Sequence, residues 1–242
     1  MNSGKHLAAQ SVKEVFSTIK LQKTTTFMKN ALSLSAGLLA LLLTTGAAMA
    51  QTSGTDNNMV GRTSKMEFDR MNKEGAATVS AVSPSSAKLS KADENLMLQV
   101  AMGGMMQLES SRIAVQKSTN TEVRDMAQAE VEEQTGLSAK LQEIAMAKGI
   151  TLPATPDAKT QAMLTKMQAM SGAELDRHYV EKHAVKGHEL LDKMMSKVES
   201  KGQDASLMAV AKAAHPLVIT HLKVARELST KLSSGNAMSS GR

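Results

Sequence analysis

The stretch Ser171-Gly-Ala-Glu174-Leu-Asp-Arg-His178-Tyr-Val-Glu181-Lys-His183-Ala-Val-Lys-Gly-His188-Glu-Leu-Leu-Asp192-Lys-Met-Met-Ser-Lys-Val-Glu-Ser-Lys201-Gly202 decides the fold. Counted at ~100° per residue, Val180, Ala184, Gly187, Leu190, Leu191, Met194 and Val198 share one face, and His183 lies among them. His178, Glu181, His188 and Asp192 gather on the opposite side. Ser171 and Glu174 have the spacing of a capping box, and Lys201-Gly202 gives a basic last turn followed by a terminating glycine. One apolar stripe of this length is a helix that must bury a single face against other helices.

Three more such segments flank it. Ser90-Lys-Ala-Asp93 opens a helix reaching about Ser118, and Asn120 or Thr121 opens another that ends at Lys148-Gly149. Asp204 caps a last one, which runs to about Lys231 and carries Pro216 inside it. Their stripes include Val123, Ala127, Val131, Leu137, Leu141 and Ile144, then Leu207, Val210, Ala214, Leu217, Val224 and Leu228. Helices of nearly equal length with single stripes predict an all-α, ferritin-like four-helix bundle over residues 90–232. Short connections make hairpins of the first and second pairs. The middle connection, Ile150–Met170, carries Pro153 and Pro156 and then a short amphipathic piece at about Asp157–Met170, a long crossover containing an extra helix.

Polar residues interrupt the stripes near the middles of the helices. Gln107, Gln134, His183 and His221 are expected to form one polar layer across the bundle, with Glu130 interrupting the second stripe as well. Buried without partners, each such group would cost roughly 1–3 kcal/mol, so they must bond each other, water or an ion. A transition metal (Fe, Cu or Zn) held by His183 and His221 with Glu130 or Glu109 is the sharper reading; a hydrogen-bonded layer that fixes helix register is the plainer one. No Glu-x-x-His motif of the carboxylate-bridged di-iron bundles is present. His178, Glu181, His188 and Asp192 read first as a solvated face and second as a surface metal stripe. Met97, Met102, Met105, Met106, Met194 and Met195 read as core filler in a chain with few aromatics. Gly103-Gly104 allows close helix packing. No nucleophile elbow, zinc-protease motif or phosphate loop occurs, so no catalytic residue and no firm cofactor is assigned.

The ends set the compartment. Met28-Lys-Asn, the apolar run Ala31–Leu43 and Ala48-Met-Ala50 follow the order of a cleaved signal peptide, with Gln51 as the mature start and a periplasmic or secreted destination. The run is shorter than the ~20 apolar residues of a membrane span, so no transmembrane helix is expected in the mature protein. Residues 1–27 read as an extension ahead of a true start at Met28. The segment before Gln51 takes five of the 29 basic and one of the 23 acidic side chains, leaving 24 against 22 and a balance of +2. With Phe68 and Tyr179 as its only aromatics, the mature chain has neither the charge nor the stacking platform for nucleic acid. It has no cysteine and hence no disulfide. Residues 51–89, rich in Ser, Thr, Asn and Gly, read as a disordered linker, and 233–242 as a disordered tail.

Glu122-Val-Arg-Asp-Met-Ala-Gln128, Lys148-Gly-Ile-Thr-Leu-Pro153, Gly172-Ala-Glu-Leu-Asp-Arg-His-Tyr179 and Pro216-Leu-Val-Ile-Thr-His221-Leu222 together resemble the domain of unknown function 4142 family, exported bacterial proteins with a ferritin-like helical fold. The resemblance spans about Ala92–Leu232. In that family a histidine tends to stand where this chain has Gln134, and the third-helix histidine falls nearest Gly187–His188, one residue out of register here; His221 carries over directly. The resemblance implies fold and export, not a reaction. Two functions follow from the residues: a non-enzymatic envelope bundle concerned with stress or interaction, or a metal-binding or metal-oxidising bundle. Self-association through a methionine-rich helix face is a third use of the same surface.

Overall fold

The computed structural model describes residues 58–239, and its secondary structure is almost wholly helical. The expected extension at 1–27 and signal segment at 28–50 lie outside the described residues. A two-stranded antiparallel hairpin, β1 (Met59–Val60) and β2 (Thr63–Ser64), leads into helix α1 (Lys65–Ser80). Then follow α2 (Lys91–Lys117), α3 (Thr121–Ala147), α4 (Ala158–Ala169) and α5 (Gly172–His178). A π-helical segment (Tyr179–Val185) joins α5 to α6 (Lys186–Lys201) without a break, and α7 (Ala205–Ser239) closes the chain.

Local chemistry explains most of the boundaries. Ser90 Oγ accepts from Asp93 N, and Asn120 Oδ1 from Val123 N. Asp157 Oδ1 accepts from Thr160 N, and Asp204 Oδ1 from Leu207 N, each satisfying an amide that the first turn leaves free. Gly149, at φ +70°, takes the left-handed conformation that ends α3. Ser171 stands at the N-cap as expected, but its side chain makes no capping hydrogen bond; Gly172, the first helical residue, has φ +55°.

α2 and α3 pack as one antiparallel pair, and α6 with the π segment packs on α7 as the other. α2 also meets α6, and α3 meets α7, which closes the bundle, while α4 lies against α2 in the crossover. Two apolar clusters fill it. One contains Ile113, Val123, Met126, Leu175, Tyr179 and Leu228; the other contains Met97, Leu141, Ile144, Leu191, Met195 and Leu207. α7 carries, within Ala205–Ser234, an 18-residue stretch apolar enough to cross a membrane by composition alone, yet half of that stretch is buried within the bundle, as suits a core helix.

Three expectations need correction. The segment read as a disordered linker holds the hairpin and α1, and α1 packs across α3 and α7. Its capping Ser64, the fully buried Phe68 and Val79, and ion pairs from Arg70 to Glu67 and Glu74 supply what the polar composition concealed. The rest of that segment is tied down by Lys148, whose ammonium donates to the Ser85 and Ala87 carbonyls and pairs with Asp204 at 2.6 Å in a fully buried bridge. The supposed tail from 233 continues α7 to Ser239. Of the methionines read as core filler, Met97 and Met195 are buried, but Met102, Met106 and Met194 line a surface groove of about 940 Å³.

Candidate metal centre

The two apolar clusters are separated by a buried polar layer. α3 contributes Glu130, Glu133 and Gln134, α2 contributes Gln107, α6 contributes His188, and α7 contributes His221; all are nearly or fully buried. Glu130, Glu133, His188 and His221 each present one ligand-type atom, and these four atoms lie within 4.8 Å of one another.

The π segment brings His188 inward. It inserts one residue relative to α-helical winding, which turns everything after it by roughly 100°. Straight α-helical indexing sets His188 on the side opposite the core; the inserted residue turns it back toward the core. Leu190, indexed to the core, is correspondingly turned out and is 46% exposed. The expected surface stripe therefore does not form: His188 is buried, Glu181 is exposed, His178 borders the methionine-lined groove, and Asp192 pairs with His215 Nε2 at 2.8 Å. His183, which indexing placed in the layer, is buried beside Tyr179 and His178 with neither ring nitrogen bonded, and takes no part in the cluster. Glu109 lies on the surface paired with Arg112 and is not at the site.

Inside the layer, Glu130 Oε2 stands 2.8 Å from His188 Nε2 and 2.9 Å from His221 Nδ1. Glu133 Oε2 stands 2.8 Å from His221 Nδ1. The outer ring atoms are held by oxygen: His188 Nδ1–H donates to the Ala184 carbonyl at 2.6 Å, and His221 Nε2–H donates to Asn72 Oδ1. This assignment leaves the inner nitrogens, His188 Nε2 and His221 Nδ1, available as ligands, with an oxygen acceptor holding the opposite N–H of each ring as it commonly does for a metal-bound imidazole. Gln134 Nε2 donates to Glu130 Oε1 at 3.0 Å and approaches Glu133 Oε1 at 3.4 Å, aiming both carboxylates inward. Gln107 Nε2 donates to the His183 carbonyl at 3.1 Å, beside His188. Both glutamines occupy space left by glycine: a Cβ at Gly104 would sit 2.7 Å from Gln134 Oε1, and one at Gly187 would collide with the Gln107 amide.

Several of these contacts have the distance of a bond without its direction. Glu133 Oε2 and His188 Nε2 are buried and have no hydrogen-bond partner, although a ligand-type atom lies 2.8 Å from each. Electrostatics are strong here. Burial opposes ionisation of Glu130, but His188 and His221 outweigh it and hold the carboxyl far below the usual range. Burial likewise opposes charge on His221, yet Glu133 and Glu130 push its pKa up to about 10. Without another cation, the layer needs a proton on imidazole to separate its carboxylates.

The sequence points to Glu130, Gln107, Gln134 and His221 and names His188 as a candidate ligand on a surface stripe rather than in the core, but singles out neither Glu133 nor Asn72. Glu133 lies one turn from Glu130 on the same helix, a spacing that was visible. Residues 78–228 match the family model described as a domain of unknown function (DUF4142), and the chain belongs to that family. No curated protein and no solved structure matches it.

Proposed function

We propose that this member of the family is a metal-binding helical bundle whose centre takes one divalent first-row transition ion on Glu130, Glu133, His188 and His221. The observation that carries the reading is the orientation of the two histidines. Each is anchored at its outer nitrogen by an oxygen acceptor, and each turns its inner nitrogen toward carboxylate oxygens. Two neutral imidazoles and two carboxylates balance a +2 ion, which removes the cost of burying like charges together. In tetrahedral coordination with bonds of ~2.0–2.1 Å, neighbouring ligand atoms stand roughly 3.3 Å apart, so the 2.8–2.9 Å contacts would widen by tenths of an ångström while any wider pairs of the cluster, all within 4.8 Å, would draw in.

The long helices, the helical crossover and a centre built from helix interiors support a ferritin-like reading of the bundle. The ligand set differs from carboxylate-bridged di-iron sites and suits a single ion. Export belongs to the same proposal: the signal-like segment Met28–Ala50 would deliver the centre outside the cytoplasm, and N-terminal sequencing of the mature protein tests it.

The direct test is metal analysis of chelator-free protein from its native compartment. About one equivalent of Fe, Cu, Zn or Mn per chain, lost in His188→Ala with helicity retained, is the expected result. A metal-free protein whose melting temperature ignores all four added ions would leave the layer as a structural hydrogen-bonded core and overturn the proposal.

A further inference from the structure

A cleft of about 470 Å³ opens between α1 and α3, with Asn72 and Ala76 on one wall and Asp125, Ala129, Glu132 and Glu133 on the other. At its inner end are two groups of the centre. Glu133 is one of the four proposed ligands, and Asn72 holds the outer nitrogen of His221. The Glu133 side chain is only 3% exposed, and its Oε2 has no hydrogen-bond partner, nor has Asn72 Nδ2. The methionine-lined groove, although larger, has none of the four ligand residues in its wall.

The charge of the cleft favours a cation. Asp69, Asp125, Glu132 and Glu133 face Lys65 and Lys73, and Lys65 is already paired with Asp69 at 2.8 Å. Small side chains, Ala76 and Ala129, stand on the two walls. A low-dielectric cleft lined by one net sign concentrates counter-ions and speeds their arrival.

From the metal-binding reading of the centre, we infer that this cleft is the loading route of the ion, with Asp125 and Glu132 steering the cation inward and Asn72 and Glu133 forming its inner threshold. α1 is then more than a cover: with α3 it forms the passage, and Asn72 ties that passage to the ligand His221.

The test is stopped-flow binding and chelator-driven release of Zn²⁺ and Co²⁺ with the full chain. A bulky residue at the exposed Ala76, Ala76→Trp, narrows a passage without touching a ligand, so association and release should slow together, by about fivefold or more, with the dissociation constant unchanged within about twofold. Asp125→Asn combined with Glu132→Gln should slow association most at low ionic strength and lose that effect as salt rises. Met102→Trp, in the other groove, should leave both rates unchanged. If Ala76→Trp and the double variant bind at the parent rates, the route is wrong while the centre stands. If the folded parent binds neither of these ions nor added Fe, Cu or Mn, centre and route fall together.

Discussion

Gln107 fills the space in which Gly187 lacks a side chain. A Cβ at residue 187 would collide with the Gln107 amide, which donates to the His183 carbonyl and lies beside His188. Gly187→Ala should therefore destabilise the protein by roughly 1–3 kcal/mol through overpacking. It should also weaken metal binding by moving His188. Adding Gln107→Ala should relieve part of the loss, and a double-mutant cycle from urea unfolding measures the coupling. Independent, additive effects would show that the two residues do not compete for this space.

Asn72→Ala should lower metal affinity by about 10–100-fold, because it frees the outer nitrogen of His221 and with it the ring's tautomer and orientation. Competition against a chromophoric chelator reads this directly. His183→Ala should leave affinity near that of the parent, since His183 lies outside the four-residue cluster.

Metal and protons should compete at His221. With its pKa raised to about 10 by Glu133 and Glu130 against the pull of burial, the metal-free imidazole holds a proton throughout the neutral range. An entering ion must displace it. Apparent affinity should rise about tenfold per pH unit across the neutral range, and calorimetry in buffers of different ionisation enthalpy should detect proton release.

His183 gives the fold an acid-sensitive element of its own. Burial, aided by nearby His178, lowers its pKa from 6.5 to about 4. A histidine with a depressed folded-state pKa costs stability where the unfolded chain takes a proton and the folded chain does not. Stability should fall as pH drops from about 6.5 to about 4, by roughly 3 kcal/mol in total, and this contribution should level off below that. His183→Phe should remove that part of the slope in a pH series of chemical denaturation.

Lys148→Met should cost about 3–5 kcal/mol by leaving Asp204 buried without its cation. It also releases the Ser85 and Ala87 carbonyls that hold the loop before α2. Pairing it with Asp204→Ser, which keeps an N-cap for α7, should recover part of the loss in thermal unfolding.

The sequence by itself determined the long helices that follow α1, their hairpin pairing and the existence of a polar layer. Period 3.6, caps at Ser90 and Asn120, and the glycine after Lys148 are local signals, and they act through a few neighbouring residues. Glu130, Gln107, Gln134 and His221 were legible because each interrupts a regular stripe. Tertiary structure decided which third-helix histidine enters the centre, because the π segment from Tyr179 to Val185 changes the winding on which any face assignment depends. It also decided that α1 orders: Phe68 and Val79 are too few to announce a core helix, but the groove between α3 and α7 buries both and lets Asn72 meet His221 across 149 positions of chain.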